Sequence, residues 1–189
     1  MTATIQEKAE LLTSRSEQNE PLIQAIHDTL QRYDPIRASD SPIHVATANG
    51  AVTLTGIVRS RTMKAMAGTL ARRVAGVTEV ENQLLTDTDI ENAIALEMAT
   101  NERLRQAGGT IWVKSILGTV YLSGDVTAES LEDGEDLKGL AEGIAEETSG
   151  VIRTINAIVV RERGQVMAAE AGNEGTAVLS AEDQVDLVE

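Results

Sequence analysis

The chain has 189 residues, a formal charge of −14, no Cys, no Phe, one Trp and two Tyr. Without cysteine there can be no disulfide, thiolate metal site, cysteine nucleophile or lipidated-cysteine anchor. The charge is uneven, with −1 over residues 1–18, +1 over 19–86, −8 over 87–163 and −6 over 164–189, which disfavours nucleic acid and anionic lipid as partners of the whole chain.

The opening segment, residues 1–18, has no apolar core flanked by a basic start and a small-residue cleavage site. No apolar run in the chain approaches bilayer-spanning length. A cytoplasmic location is therefore expected. Within the segment, Ile5, Ala9 and Leu12 would share one side of a helix over Thr4–Ser14.

The spacing of Leu22, Ala25, Ile26 and Leu30 predicts a helix over about Glu20–Tyr33. Two alternating apolar runs follow, Ile43–Thr47 and Ala51–Val58, joined by Ala48-Asn49-Gly50. Asn-Gly between such runs is a hairpin signal, because a tight primed turn needs positive φ. A second helix over about Ser60–Ala75 ends at Gly76, a natural left-handed cap. A third strand is predicted over about Val77–Thr86.

From residue 87 the pattern is written again. Residues 43–58 read IHVATANGAVTLTGIV and residues 111–126 read IWVKSILGTVYLSGDV, 68 positions on. The flanking helix also repeats, with Ile90, Ala93, Ile94 and Met98 in place of Leu22, Ala25, Ile26 and Leu30. After the hairpin the offset becomes 74, so the second copy carries six extra residues, placed in the acidic stretch around Ala128–Asp136 and read as a loop. The predicted elements of this copy are a helix over Asp89–Arg105, strands over Thr110–Ser115 and Thr119–Val126, a helix over Asp136–Ser149 and a strand over Val151–Arg161. An internal repeat outweighs local propensities in assigning architecture. The expectation is α+β: two tandem αββαβ two-layer sandwiches, residues 19–86 and 87–163, each with two helices on one face of a three-stranded sheet. Residues 164–189 are Ala-, Gly- and Glu-rich with no basic residue and read as an acidic flexible tail. Its pieces Thr176–Leu179 and Val185–Val188 have the make-up to add a strand to a sheet edge.

This arrangement resembles the BON domain. The residues that carry the likeness are Ile43 to Val58 with Gly76-Val77 and Asn82, and Ile111 to Val126 with Gly150-Val151 and Asn156. The second copy departs from the pattern at Leu117, where the turn Asn would stand, and at Asp125, in place of an apolar residue. The resemblance implies the αββαβ fold and non-enzymatic roles. Tandem members of bacterial envelopes include a stress-induced periplasmic protein and an outer-membrane lipoprotein that binds anionic phospholipids. A cytoplasmic relative that carries a LysM domain binds potassium, and similar small modules build rings in secretion systems. The chain has neither a lipobox cysteine nor a recognisable LysM segment. From the resemblance come two alternatives to a protein-binding role: a membrane-surface or envelope-stress module contacting phospholipid headgroups, and a small-cation sensor for potassium or calcium.

The residue types offer little chemistry. His27 and His44 have no partner at metal-ligand spacing, and no base with an orienting group is visible. The hairpin glycines do not precede a helix in a phosphate-binding pattern. Glu129, Glu132, Asp133, Glu135 and Asp136 lack the ordered spacing of a calcium loop. No catalytic residue, cofactor, metal or small-molecule substrate is expected. Two surfaces stand out instead. Trp112 and Tyr121 fall at outward strand phase and would form an aromatic patch on an open sheet face. On the second helices, Arg61, Lys64, Arg72 and Arg73 of the first copy correspond to Glu135, Lys138, Glu146 and Glu147 of the second, and Gly68 to Glu142. The basic helix is expected to meet the acidic one, within one molecule or between molecules. Between molecules such a heterologous contact propagates into rings or filaments.

Overall fold

The computed structural model describes residues 19–163. The helix expected over Thr4–Ser14 and the β-prone pieces of the tail lie outside the described residues. The first copy comprises α1 (19–31), α2 (Asp34–Ser39), β1 (Ile43–Ala48), β2 (Ala51–Val58), α3 (Arg61–Arg72), β3 (Glu79–Asn82) and β4 (Leu85–Thr86). The second comprises α4 (Asp87–Thr100), α5 (Glu102–Gln106), β5 (Gly108–Ile116), β6 (Thr119–Ala128), α6 (Leu131–Glu147), β7 (Arg153–Asn156) and β8 (Val159–Glu162). In each sheet the hairpin's second strand is central, antiparallel to the first and parallel to the two pieces that return after the crossover helix.

The two long helices of each copy, α1 and α3 in the first and α4 and α6 in the second, lie on one face of its sheet. Ile26 and Leu30 of α1, Val52, Leu54 and Val58 of β2, and Met63, Ala67 and Ala71 of α3 form one buried cluster. Ile90, Ile94, Val120, Leu122, Val126, Leu137, Ala141 and Ala145 form the other. Residues three and four apart on the helices and two apart on the strands meet in these cores, as the two periodicities require. Ser60 caps α3, its Oγ accepting from the Met63 N–H, a cap worth about 1 kcal/mol. The hairpins turn through Asn49-Gly50 and Leu117-Gly118, all four residues with positive φ.

Four expectations need correction. The first helix stops at residue 31, and Pro35 starts a separate turn of helix, α2, that buries Ile36. Proline has no N–H to continue a helix but suits its first turn. The helix expected over Asp89–Arg105 breaks at Asn101, whose side chain accepts from the Arg103 and Leu104 N–H groups and so starts α5. The third strand of each copy is two strands. Asn82 donates to the Lys64 carbonyl and accepts from the Leu84 N–H, and Asn156 does the same with Lys138 and Ile158. Each asparagine thus pins the strand break to the crossover helix. The acidic insertion is not a loop. β6 runs 10 residues against 8 in β2, and α6 runs 17 against 12 in α3. Ser130 caps α6 through the Asp133 N–H, and the acids occupy its first turns, where the helix dipole favours them.

The copies join without a linker, since β4 ends at Thr86 and α4 starts at Asp87. Thr86 and Asp89 form a reciprocal capping box at that point, and Thr86 is fully buried.

Candidate interaction surfaces

Alternation along β2 points Val52, Leu54 and Val58 at the helices and Thr53, Thr55 and Ile57 at the open face. Ile57 is nevertheless 5% exposed and belongs to the core cluster of the second copy. What covers it is the turn end of that copy. A Cβ added to Gly118 would lie 2.7 Å from both Ile57 Cδ1 and the Gly150 carbonyl oxygen, and one added to Gly150 would lie 2.7 Å from Leu85 Cδ1. Leu117, held at φ 49, packs against the same cluster. A left-handed leucine is uncommon, and its strain is offset by packing against this cluster. Ser149–Ile152 faces Pro42, His44, Thr55, Gln83 and Leu85 across a shallow groove at this junction. The turn end of the second copy therefore stands on the open sheet face of the first.

Charged groups ring the junction. Arg61 lies 3.7 Å from Asp89 at the start of α4. Partial burial raises the Asp89 carboxyl, but hydrogen bonds from Thr86 and the charges of Lys64 and Arg61 outweigh this and hold it below the usual aspartate range. Ser115 is buried and donates from its hydroxyl to Asp87, while its N–H donates to Glu91. Lys114 Nζ is 2.8 Å from the same Glu91 carboxylate, whose hydrogen bond and charge raise the lysine above its ordinary value. The Glu91 carboxylate thereby occupies a backbone donor on the outer edge of β5, which blunts that edge.

The expected contact between the basic and acidic helices is not what joins the copies. Arg61 turns to α4, and among the described residues no ion pair links α3 to α6. Arg72 and Arg73 are exposed at the end of α3, and Lys64 is half-buried. On α6, Glu146 and Glu147 are exposed at its C-terminus, and Glu135 is within 3.8 Å of Lys138. Glu142 is half-buried and accepts a hydrogen bond from Asn156. The acidic run is dispersed among partners: Glu129 with Arg163, Asp133 with Ser130, and Asp136 with Arg103. Among the described residues no group of three or more His, Asp or Glu is placed to hold a metal ion, and no helix is long and apolar enough to cross a membrane.

Trp112 and Tyr121 lie on the open face of the second sheet, 67% and 40% exposed. The pairings Lys114↔Tyr121 and Tyr121↔Ile155 put Ile155 and Arg153 on the same face. Val159, 55% exposed, lies farther along it, beside an Asp125–Arg161 pair at 3.7 Å. Reasoning from the sequence missed Ile57 and Leu85, and the Gly118 and Gly150 that approach them, as junction residues. The signals were present: Ile57 breaks the alternation of β2, and Asp125 and Leu117 are, with the acidic insertion, the departures of the second copy from the repeat.

The family model described as "BON domain" matches residues 19–85 and again 86–162. No curated protein matches the chain. Among solved structures, the chain is similar to the C-terminal domain of CdsD, the structural protein of the type III secretion system of Chlamydia trachomatis. That likeness has 19% identity, covers 82% of this chain and 73% of that one, and has a TM-score of 0.49. A second CdsD structure from the same organism is 11% identical over 79% of this chain and 97% of that one, with a TM-score of 0.33.

Proposed function

Since the chain belongs to the BON domain family, matched twice over 19–85 and 86–162, we propose that it is a non-enzymatic binding and self-association protein. Its molecules associate through the basic face of α3 on one and the acidic face of α6 on another. The observation that carries this reading is the opposite charge of equivalent positions. Arg61, Arg72 and Arg73 are exposed on α3, Glu135, Glu146 and Glu147 on α6, and no ion pair joins the two helices among the described residues. Arg72 and Arg73 on one face and Glu146 and Glu147 on the other have no ion pair among the described residues and are left for contacts between molecules. Each exposed pair contributes only about 0–1 kcal/mol, but several in register set orientation and partner choice. The contact is heterologous, so it extends unless a ring closes it.

Light scattering of the full chain across a salt series tests the reading. Mass is expected to rise with concentration at low ionic strength and to fall as salt screens the faces. Arg61→Glu combined with Arg72→Glu is expected to abolish the rise, and Glu146→Arg combined with Glu147→Arg to restore it in a mixture of the two proteins. A strict monomer at low salt overturns it.

A further inference from the structure

The open sheet faces of the two copies differ as sharply as their helices, and in the opposite sense. On the first copy, Ala46, Ala48 and Ala51 leave the face low, and Glu79 and Glu81 make its third strand acidic. On the second, Trp112, Tyr121 and Ile155 raise an apolar relief. Arg153 and Ile155 occupy the repeat positions of Glu79 and Glu81. Glu79 and Arg153 are both exposed, and neither side chain has an ion pair or hydrogen bond among the described residues.

We propose that the open sheet face of the second copy docks on the open sheet face of the first copy in another molecule of this chain, with Arg153 meeting Glu79 and the Trp112–Tyr121–Ile155 relief seated on the alanine-lined surface. Three observations favour a second molecule as the occupant. The faces complement one another in charge. They also complement one another in relief, since large side chains on one oppose small ones on the other, as close sheet packing requires. Finally, the junction prevents the match within one molecule. The turn end of the second copy already stands on Ile57 and Leu85, so what the first copy takes from its own second copy is a turn end and not the sheet face. This surface is separate from the α3 and α6 faces, so the two contacts can fail independently.

Trp112 is the sole tryptophan and lies on the edge strand of the relief, 67% exposed, so its fluorescence reports the contact. In the full-length protein, its emission is expected to shift blue and its quenching by acrylamide to fall as concentration and solution mass rise together. Arg153→Glu alone and Glu79→Arg alone are each expected to abolish that shielding without moving the unfolding midpoint, because both side chains are exposed and unpaired. An equimolar mixture of the two variants is expected to recover it, since the reversed charges again oppose each other. The proposal is overturned if Trp112 stays equally accessible at every concentration. It is also overturned if Trp112 is shielded in the dilute monomer, which would identify a segment of the same chain as the cover, or if shielding appears only with anionic phospholipid vesicles. If Arg61→Glu with Arg72→Glu removes the shielding while Arg153→Glu spares it, the helix contact stands and this one falls.

Discussion

Ile57 and Asp125 hold the same place in the two copies of one fold, at outward phase on the central strand. The isoleucine is buried because the turn end of the second copy covers it. The aspartate faces outward, paired with Arg161. At the other end of the repeat, the covering turn is Leu117-Gly118, where the first copy has Asn49-Gly50. Two of the apolar residues of the junction, Ile57 and Leu117, thus have polar counterparts at the outer ends, whereas Leu85 is matched there by the exposed Val159. Each outer end therefore carries a polar residue, Asn49 at one and Asp125 at the other, which disfavours adding a further copy through this contact. A duplicated domain whose packing surface recurred unchanged would present a new docking site at each end and risk unlimited addition.

The largest effect is expected from making the first copy resemble the second at this point. Ile57→Asp removes a buried isoleucine, a loss of about 2–5 kcal/mol, and leaves a carboxylate without a cation in the junction. Urea unfolding followed by circular dichroism is expected to change from one transition to two as the copies uncouple. A single unshifted transition would mean that the junction contributes nothing to cooperativity.

The asparagines that break the third strands offer a finer comparison. Asn82→Ala and Asn156→Ala each remove a tie between strand and helix and are expected to cost about 1–3 kcal/mol, since backbone groups near the core lose partners. Asn156 also serves the Glu142 carboxylate, and hydrogen bonds to charged groups are the stronger ones. Its loss is therefore expected to exceed that of Asn82, and the excess to vanish in a Glu142→Ala background. Equal losses in both backgrounds would dismiss the role given to Glu142.

The smallest effect concerns the capping box that fuses the copies. Asp89→Ala is expected to cost about 1 kcal/mol. The carboxyl of Asp89 titrates lower in the folded protein than in the unfolded chain. Its ionised form therefore adds stability above the ordinary aspartate pKa of about 3.9, and that contribution fades as pH falls through the lower folded value. Stability profiles of the two proteins are expected to converge in acid. Parallel profiles down to about pH 2, roughly two units below the ordinary value, would remove Asp89 as the titrating group.

Much of the fold was legible in the chain. Apolar spacing, the Asn-Gly turn and the repeated Gly-Val after each crossover helix fall on the observed helices, hairpins and cores, because periodicity and turn chemistry act over a few residues. Element ends were less legible. Pro35, Asn82, Asn101 and Ser130 redirect the backbone through hydrogen bonds made or forgone, and propensity averaged over a window does not resolve single caps. The charge contrast between α3 and α6 and the outward phase of Trp112 and Tyr121 were also readable, since each follows from position within the repeat. By itself the sequence determined two αββαβ domains, their cores and the divergence of their surfaces. Tertiary structure alone decided which surface is inside. The contact that buries Ile57 joins residues about 60 positions apart in the chain, and its break in the alternation of β2 does not by itself say which surface meets it.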